Sequence, residues 1–252
     1  MSFKRVFLFL LVGILTPFGV VWSENINPKE IVRNAINYWR DDSSHAVATM
    51  VVHRPNWERS MTFESWTKGS NKALVKFIAP VKDSGNATLS IDDDTWSYSP
   101  KINKVIRIPP SMKSQSWMGS DFSYRDLTKA DDIIEDYTHK IISTETSDLK
   151  KVYVIESIPL ESAPVVWGKE ILKIREDWII IQHDFYDQDG QLIKSLVVKN
   201  ISKMDGKLYP KVMHISKVEL TDEWTEIIHD TIKFDDNIPD SFFSTASLGN
   251  LK

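Results

Sequence analysis

The sequence predicts a mainly β protein built on one antiparallel sheet of about twelve strands, with two or three helices beside it. Three observations lead there. Short segments of alternating apolar and polar residues follow one another almost without pause. Turn signals only a few residues long separate them, and connections that short join antiparallel neighbours. Helical periodicity is confined to a few brief stretches, which excludes a βαβ arrangement.

In chain order, Lys4 and Arg5 precede an apolar run from Val6 to Val21 and the Val21-Trp22-Ser23 site before Glu24, the pattern of a secretory signal cleaved after Ser23. As a membrane anchor the run is short of the ~20 apolar residues a bilayer requires, and Pro17 interrupts it. Residues 24–252 then read as one domain, within the ~200–250 residues that single β domains reach. The chain has no cysteine, hence no disulfide and no lipid-modified cysteine, and a soluble exported protein is expected. Without the leader, 29 basic side chains stand against 35 acidic ones, a net −6, and no basic footprint for nucleic acid is present.

The first helix starts at Asn27 as N-cap with Pro28 in the first helical position and Glu30 at the positive dipole end. Ile31, Ala35, Tyr38 and Trp39 give it one apolar face. Strands are expected at residues 45–53, 59–66, 72–78, 87–91, 95–99 and 104–108, and again at 151–158, 168–175, 178–186, 191–199, 208–216 and 224–234. Asp187-Gln188-Asp189-Gly190 and Met204-Asp205-Gly206-Lys207 are hairpin turns in which Gly supplies positive φ. Tyr124–Tyr137 carries the spacing of a weak helix, and Pro239–Phe243 that of a short helical turn.

Within the strands, Ala46, Ala48, Met50 and Val52 share one face, as do Met61 with Phe63 and Ala73 with Val75 and Phe77. So wide an antiparallel sheet curls, and its apolar concave side is either filled by the helices or left in part as a ligand cavity. Between the two runs of strands, Pro109 and Pro110 end a ladder, because proline cannot donate its hydrogen bonds. A loop then carries Trp117, Met118, Gly119, Ser120, Asp121 and Phe122. Its large apolar groups stand among Ser, Lys and Asp and need an apolar surface to rest on.

No positive signal for catalysis or a cofactor emerges. Phosphate loops, the G-x-S-x-G elbow and H-E-x-x-H are absent, and Ser65-x-x-Lys68 falls on a strand end where its chemistry needs adjacent helical turns. The histidines at 45, 53, 139, 183, 214 and 229 have no metal-ligand spacing, and the Asp92-Asp93-Asp94 tip reads as solvated.

An ordered series does resemble a known family. Phe77-Ile78-Ala79-Pro80, Asp83-Ser84-Gly85, Asp94-Thr95-Trp96-Ser97-Tyr98-Ser99-Pro100, Lys104-Val105-Ile106-Arg107-Ile108-Pro109 and Trp117-Met118-Gly119-Ser120-Asp121-Phe122 together resemble the LolA-like outer-membrane lipoprotein-sorting proteins, in the branch associated with RND/MMPL-type exporters. The resemblance implies a half-open, strongly curved sheet of about eleven strands whose interior accepts acyl chains, with no enzymatic activity. It implies a monomeric carrier in the periplasm of a Gram-negative bacterium. Its partners would be an acyl-bearing lipid or lipoprotein cargo, an inner-membrane RND/MMPL-type transporter and an outer-membrane acceptor. The alternatives are a transporter adaptor without lipid cargo and, more distantly, an envelope hydrolase. With the strand alternation it places Met50, Met61, Phe63, Val75, Phe77, Trp96 and Tyr98 in the cavity and makes Trp117–Phe122 a lid. The family's lid-locking arginine has three candidates here, Arg54, Arg59 and Arg107.

Overall fold

A computed structural model describes residues 26–127 and 131–250; the predicted leader at residues 1–23 lies outside them. The first helix, α1, runs Pro28–Arg40, and the Asn27 side chain caps it by accepting the Lys29 backbone N–H at 3.0 Å. A first meander follows: β1 Ser43–Arg54, β2 Trp57–Lys68, β3 Lys72–Ala79, β4 Ala87–Ile91, β5 Asp94–Ser99 and β6 Lys104–Arg107. Residues 108–136 contain short 3-10 turns and α2, Asp132–Glu135. The second meander is β7 Tyr137–Ser147, β8 Lys150–Pro159, β9 Lys169–Arg175, β10 Ile180–Tyr186, β11 Leu192–Met204, β12 Lys207–Lys217 and β13 Trp224–Phe234. A 3-10 turn at Asp240–Phe242 and α3, Thr245–Asn250, close the chain.

All the strands form one antiparallel sheet of 13, in the order β6-β5-β4-β3-β2-β1-β13-β12-β11-β10-β9-β8-β7, not closed into a barrel. The first strand pairs with the last, Met50 opposite Ile227, so the two meanders meet at the middle of the sheet and β6 and β7 are its far edges. The expected fold class is what is found. Two local expectations are not. The helix at Tyr124–Tyr137 reduces, among the described residues, to a 3-10 turn at Arg125–Leu127 and the four residues of α2, and Tyr137 begins a strand. That strand, β7, was not expected. It is an edge strand exposed over most of its length, and a bulge between Ile141 and Ser143 breaks its alternation.

Side-chain parity gives the sheet two faces. On the concave face, Ala48, Met50, Val52, Met61, Phe63, Val75 and Phe77 pack with Met213, Ile215 and Ile227 from the far meander. Beside them α1 lays Ile31, Val32, Ala35 and Ile36 onto Ile155, Leu172 and Ile174. The opposite face of β3–β5 is also apolar: Leu74, Ala87 and Leu89 are covered by Ile238, Phe243 and Leu248 of the C-terminal segment. Among the described residues no helix is long and apolar enough to cross a membrane.

Candidate functional site

The strand order determines where the Trp117–Phe122 loop goes. β6 and β7 are consecutive in sequence and at opposite edges of the sheet, so residues 108–136 must travel from one edge to the other. Residues 108–127 and 131–136 lie across the concave face. The loop closes on itself: Trp117 N–H donates to Phe122 O at 2.8 Å, Ser120 N–H and Oγ both donate to Trp117 O, and Ser116 and Ser123 form a β-bridge. Met118 at φ 53° and Gly119 at φ 77° make the reversal; the glycine takes that backbone without strain.

Closing the loop points its apolar groups at the sheet. Trp117 is 1% exposed, its ring 5.3 Å from that of Phe77 and edge-on to Phe63 at 6.2 Å, and its Nε1–H donates to Thr88 Oγ1 at 3.1 Å. Phe122 is buried and Met118 half-buried against the same cluster. The loop's polar end is tied to the sheet by Arg54. The Arg54 guanidinium donates to both oxygens of Asp121, at 3.1 and 3.2 Å, and to Gly119 O at 3.0 Å. Asp121 also accepts from the Thr225 hydroxyl at 2.7 Å, and its own N–H donates to that hydroxyl at 3.0 Å. Of the three arginines, Arg59 bonds Asp83 and Arg107 bonds Asp94; the one that reaches the loop is Arg54.

Beside the loop lies a cavity of about 340 Å³, walled by α1 (Trp39, Arg40), by the crossing segment (Trp117, Phe122, Leu127, Ile133) and by both halves of the sheet. Phe63 and Val75 line it. Met50, Met61 and Phe77 are on the same face, fully buried in the cluster that Trp117 and Phe122 join. Trp96 and Tyr98 correct the expectation. Leu74 pairs with Leu89 and Leu89 with Trp96, which puts both aromatics on the opposite face, against the C-terminal segment. The far wall adds Val165, Trp167, Ile179, Leu196, Met213, Ile215 and Ile232, none of which had been singled out.

The lining also holds a polar corner that strand alternation alone did not reveal. Glu170 is 4% exposed; Tyr137 OH donates to its Oε1 and His183 Nε2 bonds its Oε2, each at 2.5 Å. Burial, then the Glu170 charge, raises the Tyr137 pKa far above the ordinary phenol value, so it remains a neutral donor. Elsewhere on the wall, burial lowers His229 to about 4, and its Nδ1–H donates to Pro210 O at 2.9 Å. Arg40, also at the wall, is lowered to about 10 by burial and donates to the carbonyls of Gly69 and Lys72. Among the described residues, no group of three or more His, Asp and Glu is placed to hold a metal ion.

Residues 69–250 match the model of a family described as uncharacterized proteins. The chain belongs to this family. No curated protein matches it in sequence. Solved structures of similar fold include a DUF1329 family protein from Desulfovibrio piger, with TM-score 0.80 and 23% identity over 88% of this chain and 100% of that one. A domain named as an outer membrane lipoprotein-sorting protein, from Vibrio parahaemolyticus, has TM-score 0.77 and 24% identity over 88% and 98%. A LolA superfamily protein from Nitrosomonas europaea has TM-score 0.73 and 20% identity over 88% and 99%. At such identities this chain shares with them its fold, a LolA-like open sheet.

Proposed function

We propose that the protein is a soluble, monomeric periplasmic carrier of a Gram-negative bacterium that holds the acyl chains of a lipid or lipoprotein and moves them between envelope membranes. It would work alongside an inner-membrane RND/MMPL-type transporter and an outer-membrane acceptor. The observation that carries this reading is the cavity of about 340 Å³, walled by both halves of the sheet and bordered by a loop that closes on itself. Its size falls in the range of ligand pockets, ~300–1,000 Å³, and its walls are mostly apolar with a few convergent polar groups. Burying an acyl chain gains about 0.8 kcal/mol per methylene, so affinity needs no polar contact. The Trp117–Phe122 loop serves as the lid: Trp117 and Phe122 cover the inner cluster in the empty state, and Arg54 and Asp121 hold them there. The names of the similar structures, one for outer membrane lipoprotein sorting and one for the LolA superfamily, agree with such a role.

The test is native mass spectrometry of the protein purified from an exported fraction without detergent, followed by organic extraction. A co-purifying acyl-bearing species near one per protein is the expected result and names the cargo class. A clean mass with no uptake of added phospholipid or lipopeptide overturns the carrier reading.

A further inference from the structure

The polar corner of the cavity has a chemistry more specific than the apolar walls. We infer that Tyr137, Glu170 and His183 receive the head of a single-chain amphiphile that is itself a hydrogen-bond donor, a hydroxyl or an ammonium group, and that they discriminate against carboxylate and phosphate heads. This rests on the carrier reading above and narrows its cargo.

Each Glu170 oxygen can accept two hydrogen bonds and has one, from Tyr137 on one side and His183 on the other. The phenol has spent its proton on Glu170, so its oxygen can only accept. His183 Nε2 bonds Glu170 Oε2 and its Nδ1 has no other hydrogen bond among the described residues; in the neutral imidazole with the proton on Nε2, Nδ1 is an acceptor. On Glu170, the Tyr137 oxygen and that imidazole, the open valences are therefore acceptors. An anionic head finds no donor on these three groups; a hydroxyl or ammonium finds several acceptors.

The charges nearby agree. On this part of the wall Arg125 accompanies Asp126, Asp132 and Glu170, and Lys194 is bonded to Asp126 at 3.2 Å. Two cations thus face three carboxylates, and Arg40 is taken up by the Gly69 and Lys72 carbonyls. The aromatics agree as well. Lys194, 5% exposed, places its ammonium 4.4 Å from the Phe185 ring centre and 5.5 Å from that of Trp167, and both rings line the cavity. This corner already accommodates a buried cation on aromatic faces.

A brace between β7, β9 and β10 is the plainer role for the same three residues, and the experiment separates the two. Displacement of a bound apolar dye, N-phenyl-1-naphthylamine, is followed for monomyristoylglycerol, tetradecylammonium, myristate and tetradecyl phosphate, all with one chain length. Dye uptake by itself tests the cavity; if neither dye nor any amphiphile binds, the carrier reading fails and this inference with it. The expected result is that the hydroxyl or the ammonium head binds about tenfold tighter than both anions, and which of the two leads identifies the head. Glu170→Gln should bring the preference within about threefold when each amphiphile's affinity is read relative to that of the dye in the same variant, a readout that a mere brace would not move. If Glu170→Gln does not fold, Tyr137→Phe, which frees one more acceptor on Glu170, must keep or widen the preference. Anions binding as tightly as the donor heads in the native protein, or a preference unaltered in Glu170→Gln, overturns the inference and leaves the cavity standing.

Discussion

Replacing Arg54 by alanine should open the loop without unfolding the sheet. The substitution deletes two bonds to Asp121 and one to Gly119 O, together with those to His53 O and Trp224 O and the ion pair with Glu223, and it strands the Asp121 carboxylate, whose side chain is 2% exposed, with the Thr225 hydroxyl as its main partner. Removing one partner of a buried pair costs about 3–5 kcal/mol. Arg54 is itself 13% exposed, which points to the lower end, about 3 kcal/mol, or roughly a hundredfold in the opening equilibrium of whatever the pair holds shut. The contacts that remain are the loop's internal hydrogen bonds, those of Trp117 to Thr88 and of Asp121 to Thr225, and the seating of Trp117 and Phe122. Hydrogen exchange should therefore accelerate about a hundredfold at the Trp117 and Asp121 amides while those of β11 and β12 keep their native rates. The double variant Arg54→Ala/Asp121→Ala should be milder than Arg54→Ala alone, because the stranded carboxylate is gone. Loop amides within about threefold of the native rate would refute the latch, and so would a uniform acceleration across the sheet, which would make Arg54 an anchor of the whole fold.

Other outcomes follow from the same structure. His229 stays neutral down to about 4 in the folded protein, against about 6.5 in an unfolded chain, so between those values the unfolded state binds the extra proton. Its contribution is fully present above about 6.5 and declines as pH falls toward 4, by up to about 3 kcal/mol; urea titrations of His229→Gln should show a flatter slope over that window, and an unchanged slope would assign the loss to other groups. Trp117→Ala removes a fully buried ring and its bond to Thr88 and should cost about 3–5 kcal/mol in chemical denaturation, whereas a loss below about 1 kcal/mol would mean the ring is not part of the core. Gly168→Ala would set a Cβ 2.2 Å from the Asp187 carbonyl oxygen, so β9 must shift from the turn after β10; a loss of about 1–3 kcal/mol is expected, and a melting temperature equal to that of the native protein would show that the turn yields freely.

How much of this was legible beforehand depends on how local each cause is. The strands bounded by Gly and Asp turns lie where alternation put them, because turn chemistry and period-two patterning act within a few residues. β7 escaped because an edge strand with a bulge need not alternate. Trp96 and Tyr98 show a different limit. Their alternation is strong and correctly marks a strand with one apolar face, but which face that is depends on the register with Leu89 and on a covering segment that ends the chain. Pattern gives the phase and not the side. Glu170 had left a trace: it shares a phase with Leu172 and Ile174, and a carboxylate on a buried apolar face needs partners. Those partners, Tyr137 and His183, come from strands on either side in sequence, which only the register brings together. The Trp117–Phe122 loop was legible as composition, large apolar groups among polar ones, and its position follows from topology. Once the first and last strands pair at the middle of the sheet, the two meanders leave their ends at opposite edges, and the segment joining them must cross the sheet. Crossing the concave side lets Trp117 and Phe122 bury against apolar strands, and it brings Asp121 to the end of β1, where Arg54 meets it.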